Sequence, residues 1–170
     1  MSDQTYKPSH IANYFLKRAD REEIHITQLK LLKLVYIGYG WVLAVSDREL
    51  FDEQIEAWQH GPVIPSLYNE FKHFGKNPID QLATEFDLES FELTTPEINI
   101  ADIDANMILD KVWVVYRHVR AWALRGKTHE DGTPWTETYR NGLGAGEVID
   151  TGLIKKHFQT KIAEYIDAAA

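Results

Sequence analysis

The chain has 170 residues, 44% hydrophobic and 12% aromatic, which is enough to bury a sizeable core in one domain and too few for two typical domains. It contains no cysteine, excluding a disulfide framework, a thiolate nucleophile and thiolate-ligated zinc or iron–sulfur centres. The net charge of −8 is concentrated between Asn77 and Asp110, where nine carboxylates stand without a single Lys or Arg, a field that repels a phosphate backbone and attracts a basic partner.

The N-terminal stretch Met1 to Lys7 is polar and lacks the apolar core of a secretory signal, so a cytoplasmic location is expected, in line with the missing cysteine. A first helix is predicted from about Ser9, with Ile11, Ala12, Phe15 and Leu16 at three-to-four spacing, and Arg18 to Glu23 reads as a charged break. Thr27 is a credible N-cap for a long helix to about Val45, apolar on most faces and therefore central. Its apolar run from Leu34 to Val45, broken by Gly38 and Gly40, is too short to span a bilayer, so no membrane is expected as a partner. Residues 50–58 read as a small hairpin interrupted by His60-Gly61-Pro62.

Pro65 suits the first position of the next helix, with Leu67, Tyr68, Phe71 and Phe74 as its apolar stripe and Gly75 as its stop. The acidic segment 77–102 reads as loop with a short strand or two. Helices follow at about 105–117 and 119–125. Thr133 and Pro134 should open another, ending near Asn141–Gly142, before a flexible glycine connector. A last amphipathic helix, capped by Asp150 or Thr151, carries Ile154, Phe158, Ile162, Tyr165 and Ile166 on one face. The expected fold is mainly α: a compact single-domain helical bundle over residues 1–170, around the central helix 27–45.

The seven histidines include no pair at the spacing that puts two ligands on one helical face, and no metal or other cofactor is expected. No phosphate cradle, nucleophile elbow or Ser–Lys pair is present. A small hydrolase would have to be assembled from His60 and His129 with Ser66 or Thr128.

Two strings are more specified than a core requires: Ala57 to Pro65, with Trp58, His60, Gly61, Pro62 and Val63, and Thr128 to Trp135, with His129, Glu130 and Pro134. One reading makes both into turns whose Trp residues plug the core while Thr128 and His129 satisfy backbone groups. The other has the two corners adjoin and form a shared contact surface.

These strings, together with the helix Ile11 to Leu16, the run Leu31 to Trp41 and the stretch Leu50 to Val63, resemble the Panacea antitoxin domain, a family of SocA-type and GepA-like phage-associated proteins. The resemblance covers most of residues 9–140. It implies a mostly helical, non-enzymatic antitoxin that binds and neutralises a protein toxin encoded beside it, commonly on phages and in phage defence; one branch looks like an adaptor delivering its toxin to a protease. Carried over position by position, the family-typical residues are Trp58, Gly61, Pro62, Val63, Tyr68, Thr128, His129, Pro134 and Trp135, with His60 in the same string.

The acidic segment matches no family motif. Glu85, Asp87, Glu89, Glu92 and Glu97 are therefore the candidate determinants of partner specificity. The resemblance leaves a homo-oligomer open. A DNA-binding autoregulator is disfavoured by the charge and by the lack of a basic helical face.

Overall fold

Thr27 stands in extended backbone just ahead of the apolar run, and its hydroxyl accepts from the Lys30 amide at 3.5 Å. The helix it opens, α2 (Gln28–Ser46), is the axis of the fold. The structure is a computed structural model describing residues 4–170, and Met1 to Asp3, the start of the polar N-terminal stretch, lie outside the described residues.

Before α2 comes α1 (Pro8–Arg21), which runs through the expected charged break. Ala19 is buried there, while Arg18 and Arg21 occupy the last turn, where cations favour the negative end of the helix dipole. After α2 come β1 (Glu56–Trp58), β2 (Gly61–Val63) and α3 (Pro65–Phe71). These are followed by β3 (Glu85–Asp87), β4 (Glu92–Thr94), α4 (Ile103–Tyr116), α5 (Ala121–Thr128), α6 (Pro134–Tyr139) and α7 (Thr151–Ala169). The protein is mainly α, with two small antiparallel hairpins among the described residues.

The 19 residues of α2 approach the length that spans a bilayer, but α1, α4, α5 and α7 pack around the helix and bury it as a core element. Its two glycines mark crossings. A Cβ on Gly38 would lie 2.6 Å from Leu109 of α4, and a Cβ on Gly40 would fall inside the ring of Phe158 from α7. Glycine costs helix propensity, about 1 kcal/mol against alanine, and here that cost is offset by close approach of two helices.

The first hairpin lies at residues 56–63 rather than 50–58. Leu50 and Phe51 are wholly buried and meet the N-terminal stretch instead, with the Leu50 carbonyl accepting from the Tyr6 amide at 2.7 Å. Gly61-Pro62, read as an interruption, forms the second strand, and Gln59-His60 makes the turn. Gly61 has φ +111°, a region open to glycine and strained for other residues, so the tight reversal ends there.

The cap at Thr133 is as expected, its hydroxyl accepting from the Thr136 amide at 3.3 Å. Asp150 rather than Thr151 caps α7. The glycine connector after α6 is tied back, with the Gly146 amide donating to the Ala57 carbonyl at 2.8 Å.

One helix face is covered less than expected. α7 buries Ile154 and Phe158, but Tyr165 and Ile166 are mostly exposed, because its last turns run past the core. α4 buries Ala105, Leu109, Val112 and Trp113, leaving Val115 on the outside.

Candidate functional site

The two specified corners meet. The indole Nε1 of Trp135, on the first turn of α6, donates to the Trp58 carbonyl of β1 at 2.7 Å. His129, just past α5, packs its ring 3.7 Å from that of Trp135 and turns Nε2 toward the Gln59 carbonyl at 3.3 Å. Tyr139 stacks on Trp135 at 4.5 Å, and Trp58 packs against Tyr68 at 4.9 Å. The Thr133 hydroxyl closes the second corner by donating to the Thr128 carbonyl at 2.8 Å, and Pro134 is buried beside it.

At the centre of this clasp is Lys33, which charge counting along α2 passes over. Its side chain has no solvent exposure, and Nζ donates to the Pro62 carbonyl at 3.0 Å. Burial, and secondarily the cationic Arg125 nearby, pull its pKa down to about 7. A Cβ on Gly61 would lie 2.6 Å from Nζ and 3.0 Å from the Thr128 hydroxyl, so only glycine leaves room for the ammonium. Gly61, Pro62, Val63 and Thr128 are themselves buried and form its wall.

The clasp does not have the connectivity of a hydrolytic site. The Thr128 hydroxyl and His129 Nδ1 lie 2.8 and 2.7 Å from the Arg125 carbonyl. Both ring nitrogens of His129 face carbonyls, which only accept, and the shorter contact, to Arg125, puts a proton on Nδ1, which in that state is no base to the Thr128 hydroxyl 3.1 Å away. Burial also holds His129 below the usual histidine pKa. His60 sits exposed at the tip of the turn, and Ser66 donates to Glu53 at 2.5 Å on the surface.

The acidic segment is an ordered projection. Asn13, buried on α1, grips both of its ends: Nδ2 donates to the Ala83 and Pro96 carbonyls at 3.0 Å each, and Oδ1 accepts from the Ala83 amide at 2.8 Å. Beyond that root, β3 and β4 pair Glu85 with Thr94, Phe86 with Leu93 and Asp87 with Glu92. The alternation of a strand therefore places Phe86 and Leu93 on one face and the acids on the other. Phe86 and Leu93 are 54% and 70% exposed, and Phe91 meets Phe86 edge to face at 6.2 Å.

The five candidate carboxylates have different duties. Glu85 pairs with Lys7 at 3.1 Å and accepts from Ser9, while Glu97 pairs with Lys17. Asp87 accepts from the Glu89 and Ser90 amides at 2.7 and 3.3 Å, which lowers its pKa and shapes the turn. Glu89 and Glu92 have no ion-pair partner among the described residues.

The family model described as "Antitoxin SocA-like, Panacea domain" matches residues 31–136, a span that contains Lys33, both corners and the acidic hairpin. The chain belongs to the SocA-like, Panacea-domain antitoxin family. It is 31% identical over 155 residues to Antitoxin SocA of Caulobacter vibrioides (strain NA1000 / CB15N), a match covering 88% of this chain and 80% of that protein. No solved structure matches it.

Within this SocA-like chain the residues expected from the resemblance to be family-typical lie largely in the clasp. Trp58, Gly61, Pro62, Val63, Thr128, His129, Pro134 and Trp135 hold the β1–β2 hairpin against α5 and α6, with Tyr68 backing Trp58. The sequence also hid a second buried polar centre. Asp102, read as the end of the acidic segment, is 2% exposed and accepts from Arg48 at 2.8 and 2.9 Å and from the Tyr6 hydroxyl at 2.9 Å. The available signal for Lys33 was a cation, like Lys30, within a mostly apolar helix.

Proposed function

We propose that this SocA-like antitoxin neutralises a cognate protein toxin, encoded beside it, by direct non-catalytic binding in the cytoplasm, and that the hairpin 85–94 faces the toxin. Membership of an antitoxin family supports the role. The observation that carries the surface is the hairpin itself: Phe86, Leu93 and Phe91 lie open together, with Glu92 on the opposite face and Glu89 in the turn, both without an ion-pair partner among the described residues. Exposed apolar groups in contiguous patches mark interaction surfaces. Two uncovered strand edges of so short a sheet add unpaired backbone groups to the same projection. The complementary toxin surface is an apolar patch rimmed by Lys and Arg, drawn in by the local negative field.

The test is co-expression with the neighbouring open reading frame, following growth and pulling down through a tag on this chain. The expected result is a toxic neighbour that is rescued and co-purifies intact. Rescue with disappearance of the neighbour would assign the adaptor role instead, and a harmless, unbound neighbour would end the proposal.

A further inference from the structure

We propose that the outer face of α4 is a self-association surface on which a second copy of this chain docks antiparallel. Its inner face packs on α2, yet the opposite face is also apolar. Ile103, Met107, Val114 and Val115 are 72%, 58%, 52% and 59% exposed. Beside them runs a groove of about 390 Å³, walled by Trp41 and Val45 of α2, Ile108 and Tyr116 of α4 and Tyr165 of α7. A surface helix normally turns charge outward, so an apolar stripe on both sides of α4 is a face awaiting cover.

The charges on this stripe say what covers it. Asp104 and Lys111 are seven residues apart, about 10 Å or two turns, and lie on the same face as Met107. Both are exposed, and neither has an ion-pair partner among the described residues. Along the helix the face reads apolar at Ile103, acidic at Asp104, apolar at Met107 and Ile108, basic at Lys111 and apolar at Val114 and Val115. Reversed, it reads apolar, basic, apolar, acidic, apolar. About a two-fold axis near Met107 and Ile108, Asp104 of each copy faces Lys111 of the other and apolar meets apolar throughout. A parallel pairing would set acid against acid and base against base, so the charges select the antiparallel, isologous arrangement. The groove beside α4 leaves room for the flanking side chains of the second copy. The surface lies apart from the hairpin and does not depend on the antitoxin role.

Sedimentation velocity of the full chain across the micromolar range tests this. The expected species is a two-chain assembly that Met107→Glu reduces to a single chain. Asp104→Lys alone and Lys111→Asp alone each set like charges opposite one another twice, and each should raise the dissociation constant by about tenfold or more. Mixing these two variants should restore association, because each then meets its complement at both positions. Both substitutions are on exposed positions, and unchanged thermal melts verify the fold. Four results would overturn the proposal: a single-chain mass for the unaltered protein, a dimer indifferent to the reversals, a mixture that stays dissociated, or a monomer whose Met107→Glu variant loses the neighbour's product, which would give the face to the toxin.

Discussion

The Nζ of Lys33 stands 3.0 Å from the carbonyl oxygen of Pro62, on a side chain without solvent exposure. The folded amine gives up its proton near pH 7, whereas an unfolded lysine keeps it to about 10.5. Between those values the unfolded chain binds more protons, so the linkage makes stability rise with pH. Below the lower value both states are protonated and the penalty is constant. Denaturant unfolding of the protein and of Lys33→Met should diverge across this window by on the order of 1 kcal/mol per pH unit. Tyr6 and Tyr39, pushed up to about 12 mainly by burial, make stability fall with pH above the ordinary tyrosine value in both proteins alike, so the difference between the two curves isolates Lys33. A constant difference between the two curves would mean the amine is not proton-linked to folding.

Gly61→Ala should cost about 2–4 kcal/mol, combining backbone strain with displacement of the Lys33 ammonium. Gly132, also at positive φ (+76°) but with nothing within 4 Å of an added Cβ, provides the control. Gly132→Ala should cost about 1 kcal/mol, the strain alone. Equal shifts in melting temperature for the two would remove the steric role assigned to Gly61.

Asp102 joins three segments, accepting from Tyr6, Arg48 and, as the N-cap of α4, the Ala105 amide at 3.3 Å. Asp102→Ala leaves Arg48 without its counter-charge at a nearly buried site and should destabilise by about 3–5 kcal/mol. Tyr6→Phe removes one neutral donor and should cost about 1 kcal/mol. The double variant should fall short of the sum, since both act on the same carboxylate, and additivity would contradict the shared centre.

The Asn13 side chain gives all its hydrogen bonds to the roots of the acidic hairpin, whose other side-chain tie to α1 at the strands, Ser9 to Glu85, is only half-buried. Asn13→Leu should leave the Ala83 and Pro96 groups unsatisfied. Amide exchange in residues 85–94 should speed up by about tenfold or more while the α2 amides change less. Uniform acceleration would show instead that the residue matters to the whole core.

Phe86→Ser with Leu93→Ser removes exposed apolar groups and should change stability by less than about 0.5 kcal/mol. If the hairpin faces the toxin, the same variant should lose rescue of growth and co-purification. Glu89→Lys with Glu92→Lys should weaken capture mainly at low salt, where the field acts furthest. Full rescue by both variants would move the toxin surface elsewhere.

Much of the helical framework was readable because helix ends are local chemistry. Thr27, Thr133 and Asp150 accept from amides three residues on, while Pro65 and Pro134 fix φ where a missing N–H costs nothing, and each opens its helix as the residue type dictates. The apolar character of α2 likewise announced a central position. Gly61-Pro62 was harder. Proline argues against a strand, and only the two-residue reversal at Gln59-His60 with a left-handed glycine lets it pair. Gly38 and Gly40 looked like breaks and are crossings, since nothing nearby in sequence shows that Leu109 and Phe158 arrive there.

By itself the sequence determined most of the helices and their caps, the concentration of negative charge in one segment, and the two Trp-bearing corners as specified strings. The tertiary structure alone decided that Lys33 is buried against a carbonyl 29 residues away and that Asn13 holds the acidic hairpin across 70 and 83 residues. It also decided which side of α4 and how much of α7 is covered. The physical reason is one of range: capping and periodicity depend on neighbours within a turn, whereas burial depends on which distant surface arrives. An apolar residue carries no mark of whether its face will meet the core or be left for a partner.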